Sequence, residues 1–251
     1  MEHILLLGGT TEASQMAACL AKAGRRAVFS YAGRTKRPVL QPLPMRQGGF
    51  GGVAGLVDYI TSKKITHVID ATHPFAAQMS AHAVAACHET GARLCALQRP
   101  VWQAGPEDRW QPVADIAAAV AALPEQGARV FLAIGKQTLD PFVAKAHNFY
   151  LLRLVDPPVA DLPLPYAQAV IARGPFDVDG DLALMRAHNI THVVAKNAGG
   201  RGAVAKLKAA RNLKLPVILI ERPQVPDRQI FDTVADVMEW LATDHVTERG
   251  V

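Results

Sequence analysis

The chain has 251 residues, of which 50% are hydrophobic and 20% charged, and its formal net charge is +5. This composition excludes long disorder and suits one large domain or two domains of about 120 residues. Because only 6% of residues are aromatic and the basic residues form no long run, a small polyanionic ligand is favoured over nucleic acid.

Short apolar runs bounded by glycine, proline or charge predict buried parallel strands. They lie at 3–7, 27–31, 67–70, 93–97, 129–134, 149–154, 168–172, 192–196 and 216–220. Alanine-rich stretches between them predict helices at 11–23, 53–63, 75–90, 114–123, 138–146, 179–188, 201–212 and 233–242. The alternation of strand and helix predicts an α/β fold with parallel sheets and right-handed crossovers.

An internal repeat divides this pattern. Four short segments recur in order, with 7–8 matching 134–135, 65–69 matching 190–194, 98–100 matching 221–223, and 113–116 matching 234–237. We infer two similar domains, 1–124 and 125–251, with a ligand cleft between them. The alternative is one continuous sheet that carries repeated local signals.

The first strand ends in the glycine-rich turn Gly8-Gly9-Thr10-Thr11, which precedes the first helix. Glycine lets a backbone approach a phosphate closely, and a helix N-terminus supplies N–H groups and partial positive charge. The turn therefore predicts a phosphate site suited to a dinucleotide, although the strict GxGxxG pattern is absent. The alternative is an ordinary turn with a threonine cap.

The second strand leads into a basic segment at residues 30–37. NAD-binding domains place an acidic residue here to bind the ribose, whereas this segment offers Ser30, Arg34 and Thr35. Arginine binds a 2′-phosphate through paired charge-assisted hydrogen bonds, so the segment favours NADPH over NADH. A solvated basic loop is the alternative.

Two further segments point to the same edge of a sheet. Residues 48–52 hold four glycines around Phe50, which suits a loop that lies against a ligand or moves, or else a flexible connector. Asp70, Thr72 and His73 follow the strand at 67–70, where strand ends face the ligand crevice. His73 can donate a proton or bind a carboxylate, unless it or Thr72 serves only as a helix cap.

Cations gather at the remaining strand ends and predict an anion-binding rim for a substrate with several carboxylates. They are Arg99, Lys136, Arg173, Lys196, Arg201 and Arg222. Any one of them alone is equally well explained as a surface charge. We expect no metal site, because no CxxC or HExxH pattern is present, and we expect the three cysteines to be reduced packing thiols.

The chain closely resembles the precorrin-6A reductase family of cobalamin (vitamin B12) biosynthesis, over residues 3–242. The resemblance rests on these segments in order: LLLGGTTEA, SYAGRT, GGFGG, DATHPFA, QRP, IGKQ, ARGPF, KNAGG and ERP. It implies reduction of one double bond of precorrin-6A to give precorrin-6B, with hydride from a reduced pyridine nucleotide and a proton added at the neighbouring carbon. It also implies two Rossmann-like or flavodoxin-like domains with cofactor and substrate in the cleft.

The resemblance also implies a role for each matching residue. The diphosphate contacts are Gly8, Gly9, Thr10 and Thr11, and the ribose and 2′-phosphate contacts are Ser30, Gly33, Arg34 and Thr35. Gly49, Phe50 and Gly51 form the loop over the cofactor, and Thr72 and His73 lie near the nicotinamide. Substrate carboxylates face Lys136, Arg173, Lys196 and Arg201.

The sequence leaves several alternatives open. The proton can come from His73, Lys136, a substrate carboxyl or water. A cobalt-precorrin-6A reductase that uses NADH, a non-catalytic two-domain nucleotide-binding protein and a flavodoxin-like FMN carrier remain rival functions. We expect a cytoplasmic monomer, since no signal peptide, membrane-spanning run or heptad pattern is visible.

Overall fold

The structure, a computed structural model, describes residues 2–33, 38–158 and 160–247, apart from the side chains of Lys136 and of residues 244–247. Its strands are β1 (Ile4–Leu7), β2 (Ala27–Tyr31), β3 (Met45–Gln47), β4 (His67–Asp70), β5 (Arg93–Leu97), β6 (Trp110–Val113), β7 (Arg129–Ala133), β8 (Phe149–Leu154), β9 (Ala167–Ile171), β10 (His192–Lys196), β11 (Val217–Ile220) and β12 (Gln229–Phe231). Its α-helices are α1 (Thr11–Lys22), α2 (Gly52–Lys63), α3 (Ala77–Thr90), α4 (Ile116–Ala121), α5 (Val178–Ala187), α6 (Ala205–Asn212) and α7 (Val234–Thr247). None of the helices in the described ranges is long and apolar enough to cross a membrane.

Two six-stranded parallel sheets confirm the predicted α/β class. The first sheet has the order β12-β5-β4-β1-β2-β3, and the second has the order β6-β11-β10-β7-β8-β9. The first sheet has the Rossmann order 3-2-1-4-5-6, with β1 as its first strand. The second sheet has the same order for its five strands β7 to β11, with β7 as the first, and β6 from earlier in the chain takes the sixth position. Neither order is that of a flavodoxin.

The first sheet is covered on both faces, which explains why β1 is apolar throughout. Ile4 and Leu6 pack into a cluster with side chains of α1 and α7. Leu5 and Leu7 point to the opposite face and pack with side chains of α2 and α3. All four β1 side chains are buried, as the alternation of a strand between two helix layers requires.

The chain divides into two compact units, Met1–Pro100 with Gln224–Val251, and Val101–Pro223. The predicted division into 1–124 and 125–251 is therefore wrong. Each predicted domain contributes its last strand to the sheet formed mainly by the other. β6 pairs with β11 in the second sheet, and β12 pairs with β5 in the first. The repeat between 113–116 and 234–237 marks this exchange, since each segment links an exchanged strand to its helix.

The remaining differences from the sequence prediction concern short elements. The three strands that the sequence analysis missed, β3, β6 and β12, all lie at sheet edges. An edge strand pairs on one side only and needs fewer buried apolar side chains, so its sequence carries a weak signal. The helix predicted at 138–146 is instead a pair of short 3-10 helices, Lys136–Thr138 and Asp140–Lys145, with Pro141 in the second.

The exchange of strands β6 and β12 between the two sheets can be tested with a matched pair of variants. Leu241 of α7 and Leu207 of α6 are both fully or almost fully buried, in the first and second units respectively. We expect each Leu→Ala change to cost about 2–5 kcal/mol by leaving a cavity. Hydrogen exchange should show lost protection in β4 and β5 for Leu241→Ala, and in β10 and β11 for Leu207→Ala. Loss of protection in β10 and β11 caused by Leu241→Ala would contradict the assignment of α7 to the first unit.

Candidate active site

All strands of the first sheet run in the same direction, so their carboxyl ends meet at one edge. This edge brings together the turn 8–11 after β1, Ser30 and Gly33 at the end of β2, the glycine loop 48–52 after β3, and residues 71–73 after β4. The chain leaves β1 toward β2 and returns on the other side of β1 as β4, which makes this edge a topological switch point.

The two positions of the β1 turn require glycine for different physical reasons. A Cβ at Gly8 would lie 2.0 Å from Cζ of Phe29, whose ring is fully buried, so packing excludes a side chain there. Gly9 has φ +128°, and a Cβ there would meet nothing within 4 Å. The backbone at Gly9 is therefore both glycine-dependent and open to a ligand.

The hydroxyl of Thr10 has structural partners on both sides. It accepts a hydrogen bond of 3.1 Å from the Ala13 N–H as the N-cap of α1, and it donates one of 2.8 Å to the Ala71 carbonyl. The second bond joins the turn after β1 to the turn after β4. Helix geometry leaves the N–H groups of Thr11 and Glu12 without intrahelical acceptors, which suits an anion.

Sequence reasoning missed Arg46, the central residue of β3. Its guanidinium donates to Ser30 Oγ at 2.7 Å and to the Gly49 carbonyl at 3.0 Å, and Cζ lies 3.8 Å from the centre of the Phe50 ring. Arg46 thus joins two predicted segments, the end of β2 and the glycine loop. A lone arginine in a three-residue edge strand gave no motif that could have revealed it.

The glycine loop follows a backbone path that other residues rarely adopt. Gly48, Gly51 and Gly52 have φ values of +118°, +84° and +91°. The Phe50 carbonyl packs so closely on α2 that a Cβ at Gly55 would lie 1.7 Å from it. At the other side, Gly33 lies against Gly48, with 3.5 Å between its would-be Cβ and the Gly48 Cα. Arg34 and Thr35, predicted to bind the 2′-phosphate, lie outside the described residues.

Asp70 anchors the turn that carries Thr72 and His73. Its Oδ1 accepts from the Thr72 hydroxyl at 2.7 Å and the Thr72 N–H at 3.1 Å, and its Oδ2 accepts from the Ser80 hydroxyl at 2.6 Å. The Arg228 guanidinium, from the exchanged C-terminal segment, lies 3.7 Å from Oδ2. Both side chains are almost fully buried, at 2% exposure for Asp70 and 7% for Arg228.

His73 is exposed at the same edge, and a hydrogen bond to its ring indicates which nitrogen carries the proton in the neutral form. Its Nδ1 accepts from the Phe75 N–H at 3.2 Å. A nitrogen that accepts carries no proton, so the neutral ring has its proton on Nε2. The ring therefore presents Nε2–H as a donor.

The predicted substrate cations lie at the carboxyl edge of the second sheet. Lys196 ends β10, Lys136 begins the 3-10 helix after β7, and Arg173 follows β9. The order β10-β7-β8-β9 separates the first and last of these strands by three strand spacings, or about 14 Å. Arg173 and Arg201 are exposed and Lys196 is half-buried, while the side chain of Lys136 lies outside the description.

Two of the arginines assigned to the cationic rim have structural partners instead. Arg99 forms a 2.6 Å ion pair with Glu12. Arg222 donates to the carbonyls of Asn197 and Ala198, both at 3.1 Å. Trp102 holds the same loop through its N–H, which donates to Asn197 Oδ1 at 2.9 Å. These contacts fix the loop that carries Lys196 and Arg201.

Arg153 and Asp181 form a buried ion pair beside the segment that carries Arg173. The Arg153 guanidinium lies 4.0 Å from the centre of the Phe176 ring, in the segment 172–176. Burial raises the pKa of Asp181, and the charge of Arg153 opposes that shift. The pair stabilises the turn after β9, a role the sequence gave no means to assign.

Nearly the whole chain is similar to known proteins. The family model described as "Precorrin-6x reductase CbiJ/CobK" matches residues 3–242. A protein of Rhodobacter capsulatus named precorrin-6A reductase is 66% identical over 100% of both chains. One of the same name from Rhodococcus erythropolis is 44% identical over 97% of this chain and 98% of its own. A solved structure described as "CobK precorrin-6A reductase" has a TM-score of 0.94 and 67% identity, and covers 97% of each chain.

The Asp70 cluster can be tested by removing one charge. We expect Asp70→Asn to lower the free energy of unfolding by about 3 kcal/mol, because it leaves the buried Arg228 guanidinium without its carboxylate. The exposed Asp58 of α2 provides the control, since Asp58→Asn should change stability by less than about 0.5 kcal/mol. Urea denaturation measures both. Equal stability of the two variants would show that Asp70 does not anchor the turn.

Proposed function

The chain belongs to the precorrin-6x reductase family, and on that premise we propose that it reduces one double bond of precorrin-6A to give precorrin-6B in cobalamin biosynthesis, with NADPH as reductant. The observation that carries the proposal is the high sequence identity, over nearly the whole chain, with relatives named precorrin-6A reductase. The reaction makes the chain an oxidoreductase that acts on a CH–CH group.

The residues at the edge of the first sheet fit a nicotinamide dinucleotide. Gly9, with its open positive-φ backbone, and the N–H groups at the start of α1 suit a diphosphate. Ser30, Gly33, Arg34 and Thr35 would hold the adenosine ribose and its 2′-phosphate. The loop of Gly49, Phe50 and Gly51 would cover the cofactor, with Thr72 near the nicotinamide. When bound, NADPH supplies the hydride.

The cations of the second unit would bind the substrate. A precorrin carries many acetate and propionate groups, and the spread of about 14 Å between the strands before Lys196 and Arg173 suits a macrocycle with carboxylates around its rim. Lys136, Arg173, Lys196 and Arg201 would hold these carboxylates. Positive charge beside a conjugated ring also stabilises the negative charge that the ring gains on accepting hydride.

In this proposal, most of the rate enhancement comes from holding the nicotinamide and the substrate in position, and proton transfer supplies the rest. We assign the proton step to His73 and Lys136. The Nδ1 of His73 accepts from the Phe75 N–H, so Nε2 carries the proton and would serve as the donor to the substrate. A substrate carboxyl or water is the competing source.

The rival functions are less well supported. Reduction of a cobalt-containing substrate with NADH is disfavoured by the basic segment after β2 and by the names of the relatives reported above. A nucleotide-binding protein without a reaction does not explain the cations at the second sheet, and an FMN carrier does not explain the Rossmann strand order. The proposal also treats the enzyme as a cytoplasmic monomer.

The direct experiment mixes purified protein with NADPH and precorrin-6A. We expect absorbance loss at the reduced-cofactor band that depends on both substrates, and formation of a product two hydrogens heavier than precorrin-6A. NADH and the cobalt-containing substrate serve as comparison arms. No oxidation of NADPH in the presence of precorrin-6A would refute the proposal, and faster turnover with NADH would refute the cofactor assignment.

Replacing His73 tests the proton step. We expect His73→Ala to lower kcat about 100-fold with little change in KM for NADPH, because the change removes a proton donor and leaves the phosphate contacts intact. His88, an exposed histidine in the last turn of α3, gives the matched control, and His88→Ala should retain the wild-type kcat. An unchanged kcat in His73→Ala would remove His73 from the mechanism.

A further inference from the structure

We propose that Arg46 is a specificity-determining residue for the cofactor, and that its guanidinium binds the 2′-phosphate of NADPH beside Ser30. The inference rests on the proposed use of NADPH and adds a residue that no sequence motif indicated. It is carried by the position of Arg46, by the contacts that orient it and by the absence of a carboxylate partner among the described residues.

The position of Arg46 follows from strand register. β2 and β3 pair in parallel so that Ser30 lies directly opposite Arg46. In a Rossmann sheet, the carboxyl end of the second strand is where a protein distinguishes a free ribose hydroxyl from a 2′-phosphate. β2 is the second strand of this sheet, and the Ser30 hydroxyl at its end accepts the 2.7 Å hydrogen bond from Arg46.

Three contacts fix the orientation of the guanidinium before any ligand binds. Ser30 Oγ and the Gly49 carbonyl each accept one hydrogen bond, and the Phe50 ring lies under one face of the guanidinium at 3.8 Å. Tyr59 supports Phe50 edge-on, with 5.2 Å between ring centres. The two hydrogen bonds use two of the five N–H groups of an arginine, so donors remain for a phosphate.

The charge environment separates Arg46 from three other arginines of the first unit. Arg25 pairs with Glu2, Arg99 with Glu12 and Arg228 with Asp70. Among the residues that the structure describes, no carboxylate forms an ion pair with Arg46, and both of its hydrogen-bond acceptors are neutral. Burial also lowers the pKa of Arg46, and the neighbouring Tyr59 opposes that shift. An anion at this position would satisfy a charge that the carboxylates of the described residues leave uncompensated.

The competing explanation is that Arg46 only supports the glycine loop through Gly49 and Phe50. The two roles differ in what they do to ligands with and without a 2′-phosphate. A loop support affects both ligands equally, because AMP and adenosine 2′,5′-bisphosphate share the adenosine and the 5′-phosphate. A phosphate-binding residue affects only the ligand that carries the 2′-phosphate.

The experiment measures Kd by calorimetry for adenosine 2′,5′-bisphosphate and for AMP, which lacks only the 2′-phosphate, on the full-length protein. The variants are Arg46→Gln, Arg46→Lys and Arg93→Gln. Arg93 provides a matched control, because it also lies over an aromatic ring, at 5.1 Å from Trp240, but at the amino end of β5. NADP⁺ and NAD⁺ provide a second pair of ligands. Circular dichroism checks that each variant is folded.

We expect Arg46→Gln to weaken bisphosphate binding about tenfold while AMP binding changes by less than about twofold. Arg46→Lys keeps the charge but loses the planar fork, so we expect about threefold weaker bisphosphate binding, and this variant carries the test if Arg46→Gln does not fold. Arg93→Gln should leave both Kd values unchanged.

Equal weakening of both ligands, or no weakening of either, would overturn the assignment of Arg46. If the wild-type protein prefers the bisphosphate and the Arg46→Gln variant keeps that preference, the assignment of Arg46 is refuted but the use of NADPH is not. Wild-type protein that shows no preference for the bisphosphate would refute the use of NADPH itself. The two failures are therefore distinguishable.

Discussion

Parallel pairing of every strand around β1 is the constraint on which the candidate site depends. Leu7 at the end of β1 lies opposite Ser30 on one side and Asp70 on the other, and Ser30 in turn lies opposite Arg46. One row across the sheet therefore aligns three polar side chains that are far apart in the sequence. The glycine turn, the glycine loop and the turn with His73 all begin within a few residues of this row.

Buried polar groups at this row stabilise the loops that follow it. The Asp70 carboxylate accepts hydrogen bonds from the Thr72 and Ser80 hydroxyls and lies near the Arg228 guanidinium, and these contacts hold the turn after β4. Because Arg228 comes from the exchanged C-terminal segment, the order of that turn depends on residues at the far end of the chain. A site that must hold a cofactor and a macrocycle within reacting distance requires such preorganised loops.

Local sequence signals were sufficient for the core strands, and they also marked the loops that meet at the carboxyl edge of the first sheet. β1, β2, β4, β5 and the central strands of the second sheet are apolar on both faces, so their runs were recognisable, and polar residues after each run marked the functional edge. The exchange of β6 and β12 was not predictable, because it depends on long-range pairing at edges where one side of a strand needs no partner. Arg46 and Arg228 were missed for the same reason, since each lies on or beside an edge strand.

Hydrogen exchange with saturating NADP⁺ tests most directly whether the cofactor binds at the carboxyl edge of the first sheet, as we propose. The account predicts slower exchange in peptides that cover residues 8–12, 46–52 and 71–73, with little change at the opposite edge, in the turns 23–26 and 64–66. Protection confined to those opposite turns, or to peptides of the second unit, would contradict it.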